Sequence, residues 1–145
     1  MRIVVSWIEQ MERTRVVFEL VYCSVLSRMA DLRNVADLVR SARGFNRDNG
    51  LTGILVFDGE RFCQHLEGDR EAVLLLVGKI ARDKRHQQVN VLHQGFAGNT
   101  RRFADSPMSY ALDSRGKVLE SLLRARGPEV IALLQQQIGS LVLLP

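Results

Sequence analysis

Two strand-like segments, 51–57 and 60–68, flank Asp58-Gly59, a strong hairpin signal. That antiparallel pair in mid-chain constrains everything built around it. Side chains alternate along a strand, so Phe62, Gln64 and Leu66 share one face while Cys63, His65 and Glu67 share the other. Phe62 and Leu66 mark their face as buried. Gln64 is thereby carried into the interior, where an unpaired amide would cost roughly 1–3 kcal/mol. Its carboxamide offers an acceptor and a donor, and exchanges them by flipping. Something inside must answer it.

The flanking segments supply the rest of a sheet. Residues 16–24 are rich in β-branched and aromatic side chains and are predicted to form a first strand, with Phe18, Leu20, Tyr22 and Ser24 on one face. Val17, Val21 and Cys23 fall on the other. Leu32, Val35, Leu38, Val39 and Ala42 recur at helical spacing behind Asp31, a good N-cap; Gly44 and Asn49-Gly50 are expected to close this helix. A second helix follows Asp69, striped by Val73, Leu76, Val77 and Ile80 and ending in basic residues that suit its dipole. Strands are expected at 89–96 and 108–112. The order β-α-β-β-α-β-β is that of an α+β, ferredoxin-like split βαβ sheet with both helices on one face.

The tail has a different character. Residues 117–126 and 129–138 read as apolar-striped helices broken at Gly127-Pro128, followed by Leu141-Val142-Leu143-Leu144. Such a tail cannot stand alone in water, and is expected to cover the sheet face carrying Val17 and Val21, or else to make a dimer contact there. Three parts result: an extension at 1–15, a core at 16–112 and a helical tail at 113–145.

Composition narrows the class. A chain of 145 residues with 46% hydrophobic and 25% charged residues is expected to make one soluble domain. No apolar run approaches bilayer-spanning length, and the first ten residues lack a small-residue cleavage site, so neither a membrane span nor a signal peptide is expected. Cys23 and Cys63 are in neither metal-ligand nor redox spacing, which points to reduced thiols in a cytoplasmic protein. The net charge of +4 is spread among sixteen acids, with basic clusters only at 82–86 and 101–102, so a nucleic-acid partner is not expected.

In the expected topology Tyr22 and Gln64 lie on neighbouring central strands, facing the same layer within hydrogen-bond reach. Asn46 lies near the end of the overlying helix, and Met108 can approach as a soft, adaptable contact. A hydroxyl, two amides and a thioether around a gap between helices form an uncharged polar pocket, suited to a flat neutral heteroaromatic with imide-like edges. The same residues equally describe a satisfied polar pair in an ordinary core. No Ser-His-Asp spacing, paired carboxylates or phosphate-cradling glycine loop points to an enzyme, and His65, His86 and His93 are too dispersed to suggest a metal.

Several separate motifs, in order and spacing, resemble the BLUF domain. They are Tyr22-Cys23-Ser24; Asn46 ahead of Leu51-Thr52-Gly53; Phe62-Cys63-Gln64-His65-Leu66-Glu67-Gly68; Asp83-Lys84-Arg85-His86; and Arg102-Phe103 before Met108. The resemblance covers roughly residues 16–112 and implies a blue-light sensor with FAD between the two core helices. It implies that Tyr22 is the photochemical electron and proton donor and that Gln64 is the amide that rebonds. Asn46 would hold the pyrimidine edge of the ring, with Asp83 at its far edge and Arg85 and His86 in the matching basic motif. Met108 would be the switchable residue of the last strand. Where many members carry tryptophan two positions before that methionine, this chain has Ser106, at odds with the family's tryptophan–methionine exchange; Trp7 is the only tryptophan.

The expectation is therefore a photoreceptor without an enzyme domain, signalling through a downstream protein partner or through self-association as a homo-oligomer. The alternative is a ferredoxin-like regulatory or nucleic-acid-binding module without a chromophore, which would purify colourless and bind nucleic acid in a salt-sensitive way.

Overall fold

The computed structural model describes residues 16–145 apart from Met29, Asp105 and the side chain of Leu32; the extension expected at 1–15 lies outside the described residues. Six strands form one sheet: β1 (Phe18–Leu26), β2 (Thr52–Phe57), β3 (Arg61–Gly68), β4 (His86–Phe96), β5 (Ser109–Leu112) and β6 (Val142–Leu144). Their spatial order is β4-β1-β3-β2-β5-β6. The β2–β3 hairpin turns at Asp58, whose carboxylate accepts from the backbone N–H of Glu60 and Arg61. β1 pairs antiparallel with both β3 and β4, and β2 pairs parallel with β5. The fold is the expected α+β, ferredoxin-like arrangement.

Helices α1 (Leu32–Asp48) and α2 (Arg70–Arg82) cover one face. Asp31 caps α1, accepting from the Arg33 and Asn34 N–H groups, and Asn34 returns a bond to the Asp31 N–H. Gly44 does not end this helix; it lies inside it, and Asn49 is the C-cap. Asp69 precedes α2 but its side chain makes no capping bond. Phe18, Leu20, Tyr22 and Leu66 pack here against Val73 and Leu76, while Leu55, Phe57, Phe62 and Met108 meet Val35, Leu38 and Val39.

The tail forms α3 (Lys117–Leu123), α4 (Pro128–Gln137) and a 3-10 turn (Ile138–Ser140). It buries its stripe inside the chain. Val118, Leu119, Leu122, Val130, Ile131 and Leu134 pack on Val21, Cys23, Ile54, Val56 and Cys63 from the sheet's second face. Each fully buried aliphatic of that size contributes about 1.5–3 kcal/mol, so the tail is part of the core.

Strand ends differ from the sequence expectation by one to three residues, most at β4. β4 begins at His86, three residues earlier than its apolar pattern, because Gln87 pairs with Val25 and His86 with Leu26 across a bulged register. β6 was not expected as a strand; its three residues pair antiparallel with β5 and form the sheet edge. No described helix is long and apolar enough to cross a membrane.

Candidate functional site

Tyr22 on β1 and Gln64 on β3 are direct register partners. Each points toward the helical layer, and they are only 1% and 2% exposed. The Tyr22 hydroxyl donates to Gln64 Oε1 at 2.5 Å. Gln64 Nε2 donates to the Met108 sulfur at 3.2 Å, over the top of β2. The amide that the strand pattern carried inward is therefore engaged at both ends.

Above this pair lies a cavity of about 210 Å³ between α1 and α2. Tyr22, Gln64, Leu55 and Phe62 form its floor; Leu38, Ala42 and Phe45 form one wall, and Leu76 and Ile80 the other. The sequence suggested an uncharged pocket. Its polar floor is uncharged, but the open end is not: Lys79, Asp83, Arg85 and His86 also line it. They arrive from the end of α2 and the turn behind it, which the reading of Tyr22, Gln64, Asn46 and Met108 alone did not include.

These end groups are mutually organised. Arg85 Nη2 donates to Asp83 Oδ2 at 2.7 Å and its Nε to Oδ1 at 3.0 Å, a forked pair that lowers the Asp83 pKa and raises that of Arg85. His86 Nδ1 is 2.8 Å from Ser24 Oγ, and its ring lies 5.0 Å from that of Phe62. Burial lowers the His86 pKa, favouring the neutral imidazole. Burial raises the Tyr22 pKa strongly, with further contributions from Cys63 and Asp83, so its phenol stays protonated at neutral pH.

Asn46 and Met108 do not line the cavity; they stand beside it. Asn46 is 0% exposed, and its Nδ2 donates to the Pro107 carbonyl at 2.9 Å. Its Oδ1 is buried without a hydrogen-bond partner. A buried carboxamide oxygen without a partner, on the helix that walls the gap, is an acceptor available to a ligand N–H.

The second face of the sheet holds a polar network that the sequence reading missed. Glu19 Oε2 is 3.2 Å from His65 Nε2 and accepts from Arg102 Nε at 3.3 Å; Glu19 Oε1 is 3.3 Å from His93 Nε2. Burial opposes the Glu19 charge, but His65 and Arg102 outweigh it and hold the pKa at about 2. Glu67 accepts from the backbone N–H of Arg102 and Phe103 at 2.8 and 2.6 Å, pinning the loop that leads to Met108. The signal was present as charged residues in strand positions facing the predicted tail. Among the described residues no cluster of His, Cys, Asp and Glu could hold a metal ion.

A split βαβ sheet with a cavity between its two helices and a Tyr–Gln pair on the floor defines a flavin-type light-sensing domain. Residues 17–109 match the family model for BLUF, sensors of blue-light using FAD, and the chain belongs to that family. It is 31% identical over 106 residues to the blue light- and temperature-regulated antirepressor BluF of Escherichia coli (strain K12), a match covering 71% of this chain and 26% of that protein. The chain thus spans about a quarter of that relative's length. The dark-state structure of BlrB, a BLUF protein, matches with a TM-score of 0.73 and 28% identity over 88% of this chain and 98% of BlrB. The BlrP1 BLUF structure matches at 0.62 with 34% identity, covering 75% of each.

The residues present fit a flavin. The unpartnered Asn46 Oδ1 can accept from the imide N–H of such a ring. Phe45, Leu38 and Ile80 give the gap apolar walls for a flat aromatic body.

Proposed function

We propose that this chain holds FAD with its ring in the α1–α2 gap and senses blue light through Tyr22 and Gln64. Asn46 Oδ1 would hold the imide edge, and Asp83, Arg85 and His86 would meet the part of the cofactor at the open end. When bound and excited by blue light, the flavin supplies a strong oxidant. Tyr22 would supply the electron that this oxidant takes and would pass its hydroxyl proton along the bond to Gln64 Oε1. The amide would then exchange its donor and acceptor ends, and the electron would return from the reduced ring, and the proton with it, to Tyr22, so that no net oxidation would remain. Gln64 is left with a different set of bonds, and its contact with Met108 changes as a result.

The observation that carries this reading is the Tyr22–Gln64–Met108 chain of contacts under the cavity floor. Two amide states separated by a few kcal/mol, each favouring a different position of β5, would suffice for output. We assign that output to a downstream protein partner or to a change in self-association. Purified protein should be yellow, and its flavin bands should move slightly to the red under blue light and return in the dark. A colourless protein, or a flavin spectrum indifferent to light, would overturn the proposal.

A further inference from the structure

Arg43 and Asn46 stand one turn apart on α1, so they share a helix face. Both reach across to the segment entering β5. Arg43 Nε donates to the Met108 carbonyl at 3.0 Å, and Asn46 Nδ2 donates to the neighbouring Pro107 carbonyl at 2.9 Å. The parallel ladder with β2 starts at Ser109, one residue past Met108. Pro107 brings no N–H of its own. Two side chains of α1 thus hold the backbone that carries Met108 into β5.

The Met108 side chain has three rotatable bonds and can point its sulfur many ways. Its meeting with Gln64 Nε2 at 3.2 Å depends on where the backbone is held. Asn46 gives its Nδ2 to the Pro107 carbonyl and keeps a buried Oδ1 with no hydrogen-bond partner. Arg43 does not line that gap. It lines a separate groove of about 580 Å³ on the outer side of α1, with Arg40, Arg47, Tyr110 and Leu144. A guanidinium–carbonyl bond is charge-assisted and directional, and the side chain that makes it also lines the groove shared with Leu144 of β6.

We infer that Arg43 is a positioning residue: it holds the Met108 backbone so that the sulfur meets the Gln64 amide, and it links that contact to the outer groove at β6. This rests on the light-sensing reading and names the clamp within it. Loosening the clamp leaves Tyr22, Gln64 and the flavin gap in place. Met108 must then find the amide again after each light event, so return to the dark state slows.

The test uses the whole chain with Arg43→Met, which keeps the stem and removes the donors, and Arg43→Lys, which restores a cationic donor. Arg43→Gln serves if the methionine variant does not fold. The readouts are the methyl NMR signal of Met108, assigned through Met108→Leu, together with flavin content and the dark-recovery time. Arg43→Met should move or split the Met108 signal and slow recovery about tenfold or more, the scale of one charge-assisted bond, with flavin content retained. Arg43→Lys should return both toward the parent values. A lowered melting temperature with the Met108 signal and recovery time unchanged would mark Arg43 as merely structural and overturn the inference. A parent protein that takes up no flavin or shows no light response sinks the light-sensing reading instead, and the Met108 signal then still decides the role of Arg43.

Discussion

Gln64 and Met108 meet through an N–H···S contact of 3.2 Å that passes over β2, while the other end of the same amide is held by Tyr22 at 2.5 Å. Two strands that are not neighbours in the sheet, β3 and β5, are thereby joined above it by one side chain. A carboxamide satisfied at both ends cannot turn without changing both contacts. That is the physical basis for a local event at Tyr22 being felt at the last core strand.

Tyr22→Phe removes the hydroxyl and leaves Gln64 Oε1 without its donor, at a cost of about 1–3 kcal/mol. The expected protein retains flavin and shows no light-induced red shift. Absorption before and after blue illumination checks the retained flavin and the lost shift, and chemical denaturation checks the stability cost.

Gln64→Leu keeps the volume and removes both amide contacts at once. Its expected phenotype is a bound flavin with no shift at all. A full photocycle in this variant would overturn the role given to the amide, whatever its stability.

Asn46→Ala separates ligand binding from folding. In the protein without flavin it removes a bond to Pro107 but also a buried oxygen that has no partner, so little stability should be lost. In the loaded protein it would remove the acceptor proposed for the imide edge. Flavin affinity measured by equilibrium titration should fall about tenfold, the equivalent of one hydrogen bond of roughly 1.4 kcal/mol.

Glu19 predicts an acid dependence that originates on the sheet face away from the flavin. Its pKa is depressed from 4.5 to about 2 by His65 and Arg102 against the opposing effect of burial. A depressed carboxyl stabilises the fold fully above its unfolded value, and this contribution is lost as pH falls from 4.5 toward 2. The amount is on the order of 3 kcal/mol. Urea midpoints for the parent should drop across that window, and those of Glu19→Gln should fall less steeply there.

Gly53→Ala should be severe. Gly53 has φ +156° and its added Cβ would lie 1.9 Å from the His65 carbonyl oxygen, closer than any relaxation of a side chain could relieve. Because His65 is next to Gln64, the β2–β3 pair would have to separate at the strand that carries this amide. A loss of about 3 kcal/mol or more is expected, seen as a lowered melting temperature, with weakened flavin retention.

Much of the core was legible because it rests on local rules. Alternation in 60–68 put Gln64 inward, Asp31 announced the start of α1, and the apolar stripes of 117–126 and 129–138 required a face to cover. Each of these depends on residues within a turn or two of one another. The start of β4 at His86 and the edge strand Val142–Leu144 were not legible in that way. A polar pair and a three-residue apolar run become strands only because Val25 and Ala111 lie beside them.

The same division runs through the site. By itself the sequence determined that an amide and a phenol enter one buried layer, because strand periodicity and side-chain chemistry are local properties. Tertiary structure alone decided that Met108 meets the free end of that amide and that Asn46 keeps one oxygen unsatisfied. It also decided that Arg43 reaches the Met108 carbonyl from 65 residues away. Those outcomes depend on distances between elements far apart in the chain, which no local pattern encodes and only the packing of helices on the closed sheet sets.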